Sequence, residues 1–139
     1  MKKKLKTICI IPARGGSKGL PGKNIKSFNG KPLIAWPILA AKQCNKIDQI
    51  LVTTDSQEIA KKAEFFGATV PSLRPINLAQ DDTTTEATLK YALNEFEKIN
   101  DIQFDLCVFL TCTDIFRSVN WITRAIEKLE NDSTLDSVF

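Results

Sequence analysis

One stretch concentrates the residue types that hold a polyanion: Pro12-Ala13-Arg14-Gly15-Gly16-Ser17-Lys18-Gly19-Leu20-Pro21-Gly22-Lys23-Asn24, directly after an apolar run. Five of the six glycines lie between residues 15 and 30. Glycine permits positive φ and close backbone approach, so successive N–H groups, beginning at Gly15 and Gly16, can converge on phosphate oxygens. Arg14, Lys18 and Lys23 add fixed positive charge, and an arginine can grip a phosphate through two parallel hydrogen bonds. The spacing is neither GxxxxGK[ST] nor GxGxxG. A solvated loop without a specific ligand is the plain alternative. Nucleic acid is another, but the loop offers no aromatic side chain on which a base would stack.

The charge distribution points the same way. Residues 1–47 hold eleven Lys/Arg and no acid, whereas residues 48–139 hold the other eight bases and all sixteen acids. A polyanionic ligand near the N-terminus fits that asymmetry, with Lys2, Lys3, Lys4 and Lys6 read as a solvated terminus. The 139 residues contain no histidine, which excludes a Ser-His-Asp or Cys-His relay and any imidazole zinc site. Cys9, Cys44, Cys107 and Cys112 form no CxxC pair. Cys9 and Cys107 sit in strand-like runs and are expected to be buried, leaving Cys112, in a loop, as the thiol to test for reactivity. Scattered cysteines, the lack of a signal-peptide core and the lack of a spanning apolar run lead to the expectation of a soluble, cytoplasmic protein with no membrane partner.

These residues must be carried by an alternating framework. Leu5–Ile11 reads as a strand buried on both faces. Pro32 is expected to open a helix over Leu33–Cys44, in which Pro37 would force a kink or a shortening. Ile50–Thr54 is a second strand. Asp55 and Glu58 have capping-box spacing for the next helix, and Gly67 ends it. Ala68–Val70 is a short strand, and Thr83 with Glu86 forms another capping box ahead of a helix carrying Ala87, Leu89, Leu93 and Phe96. Phe104–Leu110 is a fourth strand. Ser118 caps a helix of about residues 120–130 with Trp121, Ile122, Ala125, Ile126 and Leu129 on its apolar side, and Leu135–Phe139 is a last strand. This order implies an α/β domain over 1–139 with a parallel sheet and helices on both faces. Ligands then sit at the carboxyl ends of the strands, where the loops 12–24, 53–56 and 111–117 share one edge.

The segment Ile10 to Ile25, with Gly30-Lys31-Pro32-Leu33-Ile34, Val52-Thr53-Thr54-Asp55, Ala63 to Gly67, Arg74-Pro75 and Leu78-Ala79-Gln80-Asp81, resembles the acylneuraminate cytidylyltransferase family. Its members are CMP-sialic acid synthetases and bacterial relatives acting on pseudaminic or legionaminic acid. The resemblance implies a three-layer α/β/α sandwich of the nucleotide-diphospho-sugar transferase, GT-A-like, type. It also implies transfer of CMP from CTP to a nine-carbon 2-keto acid sugar, with release of pyrophosphate and help from Mg²⁺. Arg14 and Lys23 match the motif positions that engage the triphosphate and are the catalytic candidates, with Gly15 and Gly16 beside them. Ser17 and Asn24 would hydrogen-bond phosphate or nucleotide. The family's arginine equivalent to Arg74 lies near the nucleotide, against which stands a structural role beside Pro75. Asp55 serves either the ligand or the helix cap.

The match departs from the family pattern after the fourth strand, where Leu110-Thr111-Cys112-Thr113-Asp114-Ile115-Phe116-Arg117 stands for Leu-Gln-Pro-Thr-Ser-Pro-Leu-Arg. Thr111 replaces a glutamine implicated in nucleotide contacts, which leaves base selection open. Asp114 adds a carboxylate that could help hold Mg²⁺ or be a solvated loop acid. Family members are longer by a further subdomain carrying metal-binding aspartates, much of the sugar site and a dimerisation arm. The chain therefore matches the N-terminal, nucleotide-binding part, truncated at its C-terminus, with a homodimer as a possible assembly. An inactive nucleotide-binding remnant and a nucleotidyltransferase for another triphosphate are the competing functions.

Overall fold

The computed structural model describes residues 5–16, 22–75, 77, 83–114 and 118–138. Strand β1 (Thr7–Pro12) is followed by a 3₁₀ turn (Lys23–Ile25), the two-residue strands β2 (Ser27–Phe28) and β3 (Lys31–Pro32), and helix α1 (Ala35–Gln43). Then come β4 (Gln49–Thr53), α2 (Gln57–Phe65), α3 (Thr85–Asn100), β5 (Leu106–Phe109) and α4 (Val119–Asn131).

The main sheet is β4-β1-β5, all parallel, with Ile8 opposite Gln49 on one side and Cys107 on the other. Residues Ile8 to Ile11 are fully buried. Successive side chains of a strand point to opposite faces, and the two faces are clad differently. Cys9 and Ile11 join Ile34 and Ile38 of the α1 region and Ile122 and Ile126 of α4. Ile8, Ile10 and Leu51 pack on Ala92 and Phe96 of α3. The unbroken apolar run of β1 is what a strand covered on both faces requires. The result is the layered α/β arrangement expected from the sequence.

Several local expectations shift. Pro32 does not open a helix: it lies in β3, paired with Ser27 across a tight turn whose Asn29 and Gly30 both have positive φ (51° and 86°). That Asn-Gly pair is the strongest short hairpin signal a sequence carries. Helix α1 starts at Ala35, which puts Pro37 in its first turn, where its missing N–H has no helical acceptor to lose. No kink is needed. Both N-caps move by one residue, which puts Ile59 and Ala87 rather than Glu58 and Glu86 at the third helical position, so neither expected capping box forms. Ser56, not Asp55, caps α2 by accepting from Ile59 N (3.3 Å), and Thr84, not Thr83, caps α3 by accepting from Ala87 N (3.0 Å). Ser118 caps α4 as expected. Gly67 adopts φ 107° and donates its N–H to Glu64 O, closing α2.

The strand expected at 68–70 reduces to one bridge, Leu51 to Thr69, which closes the outer edge of β4. Residues 135–138 form no strand, and Phe139 lies outside the described residues. Among the described residues β5 therefore has a neighbour on one side only. Its Cys107 is exposed and Phe109 is 42% exposed, because α3 covers β1 and β4 but stops short of β5. Cys112, expected to be the accessible thiol, is instead buried at 4% exposure beside the Pro12 carbonyl. Trp121, placed on the inner side of α4 by periodicity, is 63% exposed and lines a groove between α4 and β5. No helix among the described residues is long and apolar enough to cross a membrane.

The cap assignment has a direct test. Thr84→Ala should cost about 1 kcal/mol in urea denaturation, in the range of a lost N-cap, while Thr84→Ser, which keeps the accepting hydroxyl, stays within about 0.5 kcal/mol of wild type. Equal losses in the two variants would remove the capping role from Thr84.

Candidate functional site

The carboxyl ends of β1, β4 and β5 meet at one edge. Ala13 N–H donates to Thr53 O (3.0 Å), carrying the β1–β4 ladder one residue past Pro12 before the chain turns out as the glycine loop. A cleft of about 290 Å³ opens at this edge. Three cations line it: Arg14 from the loop, Lys23 from the 3₁₀ turn and Arg74 from the segment between α2 and α3. No carboxylate lines it among the described residues.

Each cation is held in a different way. Gly22, with φ 72°, turns the chain so that Lys23 begins the 3₁₀ turn beside the cleft. Asn24 is buried, and its Nδ2 donates to Arg14 O (3.0 Å), tying the two ends of the loop together. Arg74 is only 6% exposed. Its guanidinium donates to Thr53 O (3.2 Å) and Thr88 Oγ1 (3.4 Å), and its N–H donates to Thr54 O (2.7 Å). Removal from water pulls its pKa below the ordinary value; Asp55 opposes this, and Arg14 adds to it by repulsion. An arginine stays protonated under such a load, so the site holds charge whose repulsion an anion would relieve. Arg74 is thus a buried, internally bonded guanidinium that also lines the cleft.

The other wall is hydroxyl-rich. Thr83, Thr85 and Thr88 come from the start of α3, and Thr111 and Thr113 follow β5. The N-terminal end of a 16-residue helix adds partial positive charge on the same side. Sequence reasoning missed Thr85, Thr88 and Phe109 as lining residues. The run Thr83-Thr84-Thr85 at a helix start was the available signal, read only for its capping value.

Of the expected site residues, Arg14, Lys23, Asn24, Arg74 and Thr111 are brought together in this cleft. Ser17 and Lys18 lie outside the described residues, as do Leu78-Ala79-Gln80-Asp81 and Ile115-Phe116-Arg117. Asp114 goes elsewhere: it is exposed and lines the groove between β5 and α4, away from the three cations. Among the described residues no three His, Cys, Asp or Glu side chains converge as a metal cage. Gly15 and Gly16 follow Arg14 in the loop but are not among the residues lining the cleft, and their surroundings differ. The Gly15 N–H is already donated to Asp55 Oδ1 (2.8 Å), and a Cβ there would meet Ser56 Cβ at 3.0 Å. At Gly16 a Cβ would meet nothing within 4 Å among the described residues.

The chain is similar to proteins of one family. A family model described as cytidylyltransferase matches residues 8–138. The chain is 42% identical over 123 residues to the CMP-N,N'-diacetyllegionaminic acid synthase of Legionella pneumophila, covering 88% of this chain and 53% of that protein. It is 37% identical over 130 residues to a pseudaminic acid cytidylyltransferase of Campylobacter jejuni, covering 93% and 56%. The chain thus spans about half the length of these curated relatives. Among solved structures, a CMP:2-keto-3-deoxy-manno-octonic acid synthetase complexed with CTP superposes with TM-score 0.76 at 22% identity, over 94% of this chain and 49% of that one. A 4-diphosphocytidyl-2C-methyl-D-erythritol synthase superposes with TM-score 0.70 at 15% identity, over 93% and 56%. At such identities these likenesses establish the nucleotidyltransferase fold.

The two glycines separate packing from ligand effects. Gly15→Ala should destabilise the protein by about 1–3 kcal/mol, as overpacking against Ser56 does. Gly16→Ala should stay within about 0.5 kcal/mol of wild type in the same denaturation series. Equal costs would refute the distinction.

Proposed function

The chain belongs to the cytidylyltransferase family, and from that premise we propose that it carries the CTP-binding half of a CMP-nonulosonate synthetase. The observation that supports this most is the convergence of Arg14, Lys23 and Arg74 on one cleft at the carboxyl edge of the sheet, lined by no carboxylate among the described residues. In the proposed reaction the anomeric oxygen of a nine-carbon 2-keto acid sugar bonds to the α-phosphorus of CTP. The bond between the α-phosphorus and its bridging oxygen breaks, pyrophosphate leaves, and the hydroxyl proton passes to solvent. Such a step needs positioning and neutralisation of charge on the leaving oxygens more than it needs covalent chemistry.

In this reading Arg14 and Lys23 take the triphosphate and Arg74 holds one wall of the cleft charged from behind. Gly16 is glycine to let a phosphate come close. Asn24 keeps the loop closed on the ligand, and the Thr111 hydroxyl stands where it can meet the nucleoside. Mg²⁺ is proposed to enter on the triphosphate, since this cation is commonly bound through substrate phosphates and one or two carboxylates. The described residues offer no cage of their own for it. A CTP-dependent reaction belongs in the cytoplasm, where nucleoside triphosphates are made.

Isothermal titration with CTP and Mg²⁺ should show saturable binding that weakens about tenfold or more in Arg14→Ala and Lys23→Ala, the scale of a lost hydrogen bond to a charged group. Equal binding by wild type and both variants would sink the assignment. Competition among CTP, UTP, GTP and ATP would decide base selection at Thr111. Pyrophosphate release with sialic, pseudaminic and legionaminic acids would separate a catalyst from a nucleotide-binding remnant.

A further inference from the structure

The anion cleft has a carboxylate directly behind its loop, and neither helix capping nor lining of the cleft accounts for it. Asp55 follows β4 in the turn Thr54-Asp55-Ser56. Capping of α2 is done by Ser56, whose Oγ accepts from Ile59 N (3.3 Å). The turn itself is fixed without the Asp55 side chain. Thr54, fully buried, accepts the Ser56 N–H on its Oγ1 (3.1 Å) and the Arg74 N–H on its carbonyl (2.7 Å). What the Asp55 carboxylate does hold is the loop: its Oδ1 accepts the Gly15 N–H at 2.8 Å, across a separation of 40 residues. A charge-assisted bond of that kind is roughly twice as strong as a neutral one. Ser56 packs close to Gly15, where an added Cβ would come to 3.0 Å from Ser56 Cβ. The start of the loop is thus held by a hydrogen-bond acceptor and by close packing against the same turn.

We propose that Asp55 is a positioning residue that fixes the start of the phosphate loop, holding Gly15 so that Arg14 faces the cleft. This rests on the CTP reading of the site and assigns within it a division of labour. The Gly15 N–H is spent inside the protein, on Asp55, and is not offered to an anion.

Electrostatics and positioning predict opposite signs, which makes the proposal decidable. A carboxylate behind an anion site repels the anion, so its removal by charge alone would tighten CTP binding. Loss of loop positioning would weaken it. Asp55→Ala should lower CTP affinity about tenfold, as expected for loss of a charged hydrogen bond. Asp55→Asn, which keeps an acceptor oxygen, should bind within a few-fold of wild type. Glu58→Ala, which removes an exposed acid in the first turn of α2, should leave affinity unchanged. Amide hydrogen exchange reads the same contact without nucleotide. Asp55→Ala should speed exchange at Gly15 at least about tenfold, while Ala13, bonded to Thr53 O, stays protected. Tighter or equal CTP binding by Asp55→Ala, or unchanged Gly15 exchange, would overturn the proposal. If wild type itself bound no CTP, the nucleotide reading would fall, and the Gly15 amide alone would still decide whether Asp55 holds the loop.

Discussion

The burial of β1 from Thr7 to Ile11 governs the rest of the molecule. A strand without access to water must satisfy its backbone groups on both edges, and β4 and β5 do so in parallel. Parallel neighbours put all three carboxyl ends on one side, so the chain leaves the sheet there three times. At the opposite side Asp48 and Asp105 accept the N–H groups of Thr7 and Lys6 (both 2.8 Å), which ends the ladder cleanly where no site is built. Acids thus close one edge of the sheet while the cations gather at the other.

That gathering carries an electrostatic cost, and the structure contains its own counterweights. Arg74 is held by a carbonyl, a hydroxyl and the attraction of Asp55, with Arg14 pushing against it. Packing a guanidinium away from water preserves its charge while removing its freedom, and an arginine anchored in this way presents charge without having to be ordered on binding. Arg14 and Lys23 differ in kind. They sit on backbone that is fixed at both ends, by Gly15 to Asp55 and by Asn24 to Arg14, with the described chain interrupted between them.

What the sequence made legible follows the range of the forces involved. The buried strand, the alternation of strands and helices and the basic glycine loop were readable because each is set by residues within a few positions of one another. Adjacent capping candidates were not separable by local rules: Asp55 and Ser56, or Thr83 and Thr84, satisfy the same preferences. A contact 40 residues away drew Asp55 to Gly15 and left the cap to Ser56. The cysteines reversed for the same reason. Cys107 lies on an edge strand that α3 does not reach, and Cys112 folds against Pro12, neither of which its neighbours in sequence could reveal. The Asn29-Gly30 turn is different, since its signal was local and a proline two residues on masked it.

The charge asymmetry along the chain acquires a narrower meaning. Of the early basic residues, Arg14 and Lys23 face the cleft, whereas Lys31 lies over the Trp36 ring at 5.3 Å, Lys42 reaches beneath Gly67, and Lys46 pairs with Glu130 at 2.9 Å. The last contact joins the basic part of the sequence to the acidic part and raises the Lys46 pKa through its hydrogen bond. Net charge by segment therefore overstates the site, because folding uses part of that charge for internal contacts. What distinguishes the cleft is that no acid lines it among the described residues, with Asp55 kept behind the loop and Asp114 lining another groove. A site defined by where carboxylates are withheld depends on the fold to keep them apart. The hydrogen bond from Gly15 to Asp55 is the point at which that separation is enforced.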